Sequence, residues 1–86
     1  MRRTKDLTDL EKNILRELKA APCTISEIKK KLGVNFAESV FPNLLTKYEA
    51  IGFLLFEEPE KTGSLRSRYG LLGVKEGSLA ERLGVV

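Results

Sequence analysis

The sequence predicts a mainly α chain closed by a small β-hairpin, an α+β domain of three core helices, two strands and a short C-terminal helix. Three observations carry this prediction. The pattern T-x-x-E stands at Thr8–Glu11 and Thr24–Glu27, ahead of apolar residues spaced three and four apart. In such a capping box the hydroxyl and the carboxylate each satisfy a backbone N–H that the helix leaves unpaired. Gly33, Gly52 and Gly84 stand where the later helical stretches must end. After Gly52 the apolar spacing shortens from the helical period to the alternation of a strand.

Taken in order, residues 1–6 form a basic arm carrying Arg2, Arg3 and Lys5. The first helix spans 9–20, its stripe formed by Leu10, Ile14 and Leu18 with Leu7 and Leu15 beside it. Pro22 ends it, because the residue before a proline is pushed out of the helical region. The second helix spans 25–32, with Ile25, Ile28 and Leu32 inward and Lys29, Lys30 and Lys31 at its C-terminal end. A further box at Asn35–Glu38 opens a third helix over 36–50, with Phe36, Val40, Leu44 and Tyr48 repeating every four residues. Pro42 interrupts this stripe. Either the helix kinks, or an opening turn at 36–38 precedes a main helix from Val40 that holds Pro42 in its first turn, where no donor is missed. Phe53–Glu57 and Leu65–Leu71 then form a hairpin over 53–72 around a polar loop, with Arg66 and Arg68 on its solvent face. Ser78–Glu81 caps a last helix over 79–83, ended by Gly84.

The composition excludes whole classes of function. The 86 residues include no His, so neither a Ser-His-Asp unit nor a histidine metal site can be built. Cys23 is the one cysteine, which removes an intramolecular disulfide and a thiolate zinc site. Beside Pro22 it reads as an inert thiol rather than a redox sensor. No Gly-rich phosphate loop or tight carboxylate cluster is present, and so short a chain hardly encloses a substrate pocket. The expectation is therefore no enzyme, no metal and no cofactor. No apolar run approaches the ~18 residues of a membrane span, and no signal-like segment follows the charged start. A cytoplasmic protein is expected. The absence of Gln, the single Met and the many charges suit a thermophile.

Thr24–Ile28 through Leu32–Asn35 is similar to the turn region of a helix-turn-helix. Tyr48–Leu54 resembles the E-x-x-G exit from a winged-helix recognition helix, and Arg68-Tyr69 before Leu71 resembles the returning strand of a wing. Over about residues 7–72 the chain thus resembles winged helix-turn-helix transcriptional regulators of the bacterial and archaeal kind. That resemblance implies sequence-specific binding of double-stranded DNA. The third helix would lie in the major groove and the wing on the backbone or minor groove. It implies base or phosphate contacts from Ser39, Asn43 and Thr46, phosphate neutralisation by Lys47, backbone contacts from Thr24 and Ser26, and wing contacts from Lys61, Arg66 and Arg68. A homodimer is expected, because one such module rarely buries enough surface for specific affinity. Leu79, Leu83, Val85 and Val86, or the outer face of the first helix, are its candidate contacts.

The sequence departs from the family in charge. The net +3 divides into +4 over residues 1–33, −4 over 34–60 and +3 over 61–86. DNA readers seldom carry their acidic stretch around the groove-reading helix, since phosphate contacts dominate affinity. Glu38 stands among the outward positions of that helix, where it can accept from a cytosine amino group. The acidic centre motivates a second expectation, a winged helix that serves as a protein-interaction module.

Overall fold

The computed structural model describes residues 7–59 and 67–86. The basic arm and the hairpin tip, with Lys61, Leu65 and Arg66, lie outside the described residues.

Helix α1 spans Asp9–Ala20 and α2 spans Ile25–Leu32. Both open with completed capping boxes. The Thr8 hydroxyl accepts from the Glu11 N–H at 3.0 Å, and Glu11 accepts from the Thr8 N–H at 2.7 Å. Thr24 and Glu27 repeat the exchange at 3.2 and 2.9 Å. Helix α3 spans Val40–Ile51. Of the two arrangements expected around Pro42, the structure has the second, a turn followed by a main helix from Val40, so the helix does not start at residue 36 and the box at Asn35–Glu38 does not form. A turn joins Val40 N–H to Ala37 and Phe41 N–H to Glu38, and Ser39 is a helical-conformation N-cap with no side-chain cap bond. Pro42 thereby falls in the first turn, where no intrahelical partner awaits its missing N–H.

Gly52 closes α3 with φ 117° and passes the chain directly into strand β1, Phe53–Pro59. Strand β2, Ser67–Val74, returns antiparallel to it. Leu54 pairs with Gly73 and Leu55 with Leu71, so Leu72 is an inserted residue without a partner. The insertion has a packing reason. Phe53 pairs with Val74, and Leu55 with Leu71. Both pairs pack on the core, although Val74 and Leu71 are three residues apart and an unbroken strand would send them to opposite faces. A third piece of sheet comes from the α1–α2 connection. Cys23 and Tyr69 exchange backbone hydrogen bonds of 2.9 and 2.8 Å.

Helix α4, Leu79–Leu83, follows. Ser78 caps it by accepting from the Glu81 N–H at 3.3 Å. The expected box is displaced by one residue, for Glu81 takes the N–H of Gly77 at 3.1 Å, not that of Ser78.

The core joins Ile14, Leu15 and Leu18 of α1, Ile28 of α2, Phe41, Leu44, Tyr48 and Ile51 of α3, and Phe53 and Leu71 of the hairpin. Two stripes differ from expectation. Leu10 and Val40 are exposed, and Leu7 and Phe41 take the inward places. The start of α3 at Val40 shifts its buried positions to 41, 44, 48 and 51, the three- and four-residue spacing of one helix face. Of the apolar C-terminal residues expected to face a second copy, Leu79 and Val85 belong to the core, while Leu83 and Val86 are exposed.

Gly52→Ala is expected to destabilise the fold by more than about 2 kcal/mol, combining a left-handed backbone with overpacking. A Cβ at this position would collide with the side chain of Ser78. Gly33→Ala is expected to cost about 1 kcal/mol. Its φ of 65° lies within the left-handed region, which a side chain enters at modest cost, and the space around it is open. Urea unfolding of the two variants measures the difference.

Candidate nucleic-acid interface

The residues singled out from the sequence divide into three groups. Ser39, Asn43 and Thr46 form an exposed row along α3. The spacing of four and then three places them on one helix face. Ser39 and Asn43 make no side-chain hydrogen bond among the described residues. The Thr46 hydroxyl donates to the Pro42 carbonyl at 3.0 Å, which leaves its lone pairs and its methyl group facing outward. Ser26, in the first turn of α2, is also exposed. These four side chains are available to a ligand.

The second group is engaged within the fold. Thr24 is 4% exposed and spends its hydroxyl on capping α2. Lys47 does not project outward as expected. Its ammonium lies 3.0 and 3.2 Å from the two carboxylate oxygens of Glu11, which also closes the α1 capping box. Burial pushes the Glu11 pKa up. The bond from the Thr8 backbone and the Lys47 charge outweigh burial, so the net shift is below the ordinary glutamate value of 4.5. One residue along α3, the Tyr48 hydroxyl donates to the Glu11 carbonyl at 2.7 Å. Burial, with the Glu11 charge behind it, pushes the Tyr48 phenol far above its usual range. Arg68, in β2, lies 3.9 Å from the Glu27 carboxylate at the start of α2. Both side chains remain partly exposed, so this contact orients more than it stabilises. The Thr24 backbone bond, helped by the Arg68 charge, holds the Glu27 carboxyl below its ordinary value.

The third group, Lys61 and Arg66, lies outside the described residues.

The elements converge on a groove of about 420 Å³ lined by Thr24, Ile25, Ser26, Glu38, Glu57, Ser67 and Tyr69. It brings together the N-terminal turn of α2, the turn leading into α3 and the hairpin. Tyr69 lines it, with its ring 4.9 Å from Phe41 and its hydroxyl 3.4 Å from Glu57. Burial and the Glu57 charge raise the Tyr69 pKa, so the phenol stays a neutral donor. The sequence reading did not single out Ser67, Tyr69 or Glu57 as site residues. The inward alternation of Tyr69 was the available signal, because it points the side chain toward the helices instead of along the wing.

Among the described residues the charge around the groove is mixed, with the carboxylates at its walls and the lysines toward the end of α2. Glu38 and Glu57 line the groove, Glu27 and Arg68 flank it, and Lys29 lies over the ring of Phe36 at 5.1 Å from its centroid. Lys30 and Lys31 are exposed in the last turn of α2. Lys31 reaches back to within 3.3 Å of the buried Cys23 sulfur. Among the described residues no group of three potential metal ligands occurs, and no helix is long and apolar enough to cross a membrane.

Protein-family models, curated proteins and solved structures give no match to this chain.

The Lys47–Glu11 pair generates a stability prediction with a defined pH dependence. A carboxyl whose folded-state pKa is depressed stabilises the fold above its unfolded-state pKa, and that contribution fades as pH falls through the folded-state value. Lys47→Met is expected to lower stability by about 1 kcal/mol at pH 7. The difference from the parent chain should shrink toward zero on acidification below pH ~4. Thermal melts of both chains across the acid range provide the check.

Proposed function

We propose that this chain binds double-stranded DNA sequence-specifically, as a small cytoplasmic transcriptional regulator with a winged-helix layout. Helix α3 enters the major groove, Ser26 meets the backbone, and the hairpin lies along the backbone or minor groove. The observation that carries this reading is the division of labour on α3. Phe41, Leu44 and Ile51, together with Lys47 and Tyr48, turn toward the rest of the fold. The outward face of α3 carries, beside the exposed Val40, a row of small hydrogen-bonding side chains, Ser39, Asn43 and Thr46. Such a face suits base edges, where Asn pairs bidentately with adenine and Ser or Thr with any base. Affinity would come from the cations at the two ends of the sequence and specificity from the neutral row. A homodimer supplies the second half-site. Leu83 and Val86, exposed at the C-terminus, are its available contacts.

A second reading has its own support. Lys47 is the one cation of α3 and it is taken by Glu11, while Glu38 and Glu57 line the adjoining groove. A surface of this kind suits a basic protein partner better than it suits phosphate.

Titration of labelled duplex DNA against salt separates the two. Under the DNA reading, Arg66→Ala reduces the slope of log affinity on log salt by about 1, and Lys47→Ala leaves it unchanged. Asn43→Ala lowers the preference for a selected site over random sequence by about 1–3 kcal/mol. The absence of any duplex binding at about 50 mM salt overturns this reading and favours the protein-interaction module.

A further inference from the structure

We propose that Glu38 is a base-selecting residue, whose carboxylate accepts from the exocyclic amino group of a cytosine in the major groove. The inference rests on the DNA-binding reading above and adds to it the identity of one base.

Three carboxylates stand at the groove between α2, α3 and the hairpin, and they are not equivalent. Glu27 is bonded to the Thr24 backbone and faces Arg68. Glu57 accepts from the Tyr69 hydroxyl. Glu38 is exposed and has neither an ion pair nor a side-chain hydrogen bond among the described residues. It sits in the turn that leads into α3, directly before Ser39, the first member of the outward row. Among the described residues its oxygens are therefore uncommitted, at the N-terminal end of the helix that the DNA-binding reading sets against the base edges.

An ionised carboxylate only accepts hydrogen bonds. Near phosphate it is repelled, so in a complex with DNA it is favourable only opposite a donor. In the major groove guanine shows two acceptors and thymine shows one acceptor and a methyl group. Adenine places an acceptor beside its amino donor, and cytosine alone shows a donor without a neighbouring acceptor on the same base. Glu38 thus favours one base and disfavours three. The role also accounts for an acid on a surface where phosphate contact would otherwise select against it.

Glu38→Gln keeps the shape of the side chain and adds two donors, which matches the acceptor and donor of adenine. Glu38→Ala removes the selection. The experiment enriches duplexes from a randomised library with the parent chain and both variants. It then titrates the parent-selected duplex against the same duplex with one C·G pair replaced by A·T. Because Glu38 is exposed, the three chains should fold alike, which circular dichroism and melting check.

At one position the parent should select cytosine, Glu38→Gln should select adenine, and Glu38→Ala should accept all four bases, with every other position unchanged. The parent should prefer the C·G duplex on the order of ten- to a hundredfold. Glu38→Gln should reverse the preference and Glu38→Ala should bring it near one. Identical enriched sequences from parent and Glu38→Ala would overturn the proposal while leaving DNA binding intact. A uniform gain of affinity for all duplexes in Glu38→Ala, with unchanged preferences, overturns it as well, since Glu38 would then act by repulsion alone. Failure of the parent to enrich any duplex defeats the DNA reading itself, and this proposal with it.

Discussion

Glu11 is the residue on which the helical arrangement depends. Its carboxylate closes the N-terminus of α1 and receives the ammonium of Lys47, and its carbonyl receives the hydroxyl of Tyr48. Two consecutive residues of α3 are thereby tied to the first turn of α1. Burial of Phe41, Leu44, Tyr48 and Ile51 sets which face of α3 turns inward. Hydrogen bonds are more directional than apolar contact, and these fix the rotation and register of α3 against α1 more narrowly. Ser39, Asn43 and Thr46 face outward as a result. The outward row is thus held in place by contacts made on the opposite side of the helix.

The hairpin is placed by a different device. Backbone bonds between Cys23 and Tyr69 join β2 to the connection between α1 and α2, and the Tyr69 ring packs on Phe41 of α3. Tyr69 therefore joins the hairpin both to the α1–α2 connection and to α3. The same packing determines which charges remain outward. Lys47 is held by Glu11, Arg68 is drawn toward Glu27, and Lys29 covers Phe36. The +4, −4, +3 division of charge along the chain is sharpened by folding, because the central cation is the one most deeply committed.

Much of the fold was legible in the sequence. The two T-x-x-E boxes marked the starts of α1 and α2 correctly because a capping box is local, with its donors and acceptors within four residues. The bounds of α4 were equally local. What was not legible depended on distant partners. Leu10 and Leu7 both fit the stripe of α1, and only the position of the rest of the core decides that Leu7 is buried. The box at Asn35–Glu38 had the right residue types but no helix behind it, whereas Pro42 did point to a main helix from Val40 that holds the proline in its first turn. The inserted Leu72 could not be foreseen either. It exists to bring Val74 and Leu71 to the same face, a demand made by the helices across the core. Lys47 looked outward by position, yet an ion pair with a residue 36 positions earlier turned it inward. For the candidate site, side chains such as Ser26 and Asn43 whose exposure follows from helix phase were readable, and those captured by a remote partner were not.

No loop separates α3 from β1, only Gly52. The described part of the hairpin is therefore fixed to α3 at this corner and to the α1–α2 connection through Tyr69, so a tilt of α3 cannot leave the hairpin behind. In the proposed DNA complex, contacts made from α3 and contacts made from the hairpin would be subject to this one constraint, so the curvature of the duplex would be as much a condition of fit as its sequence.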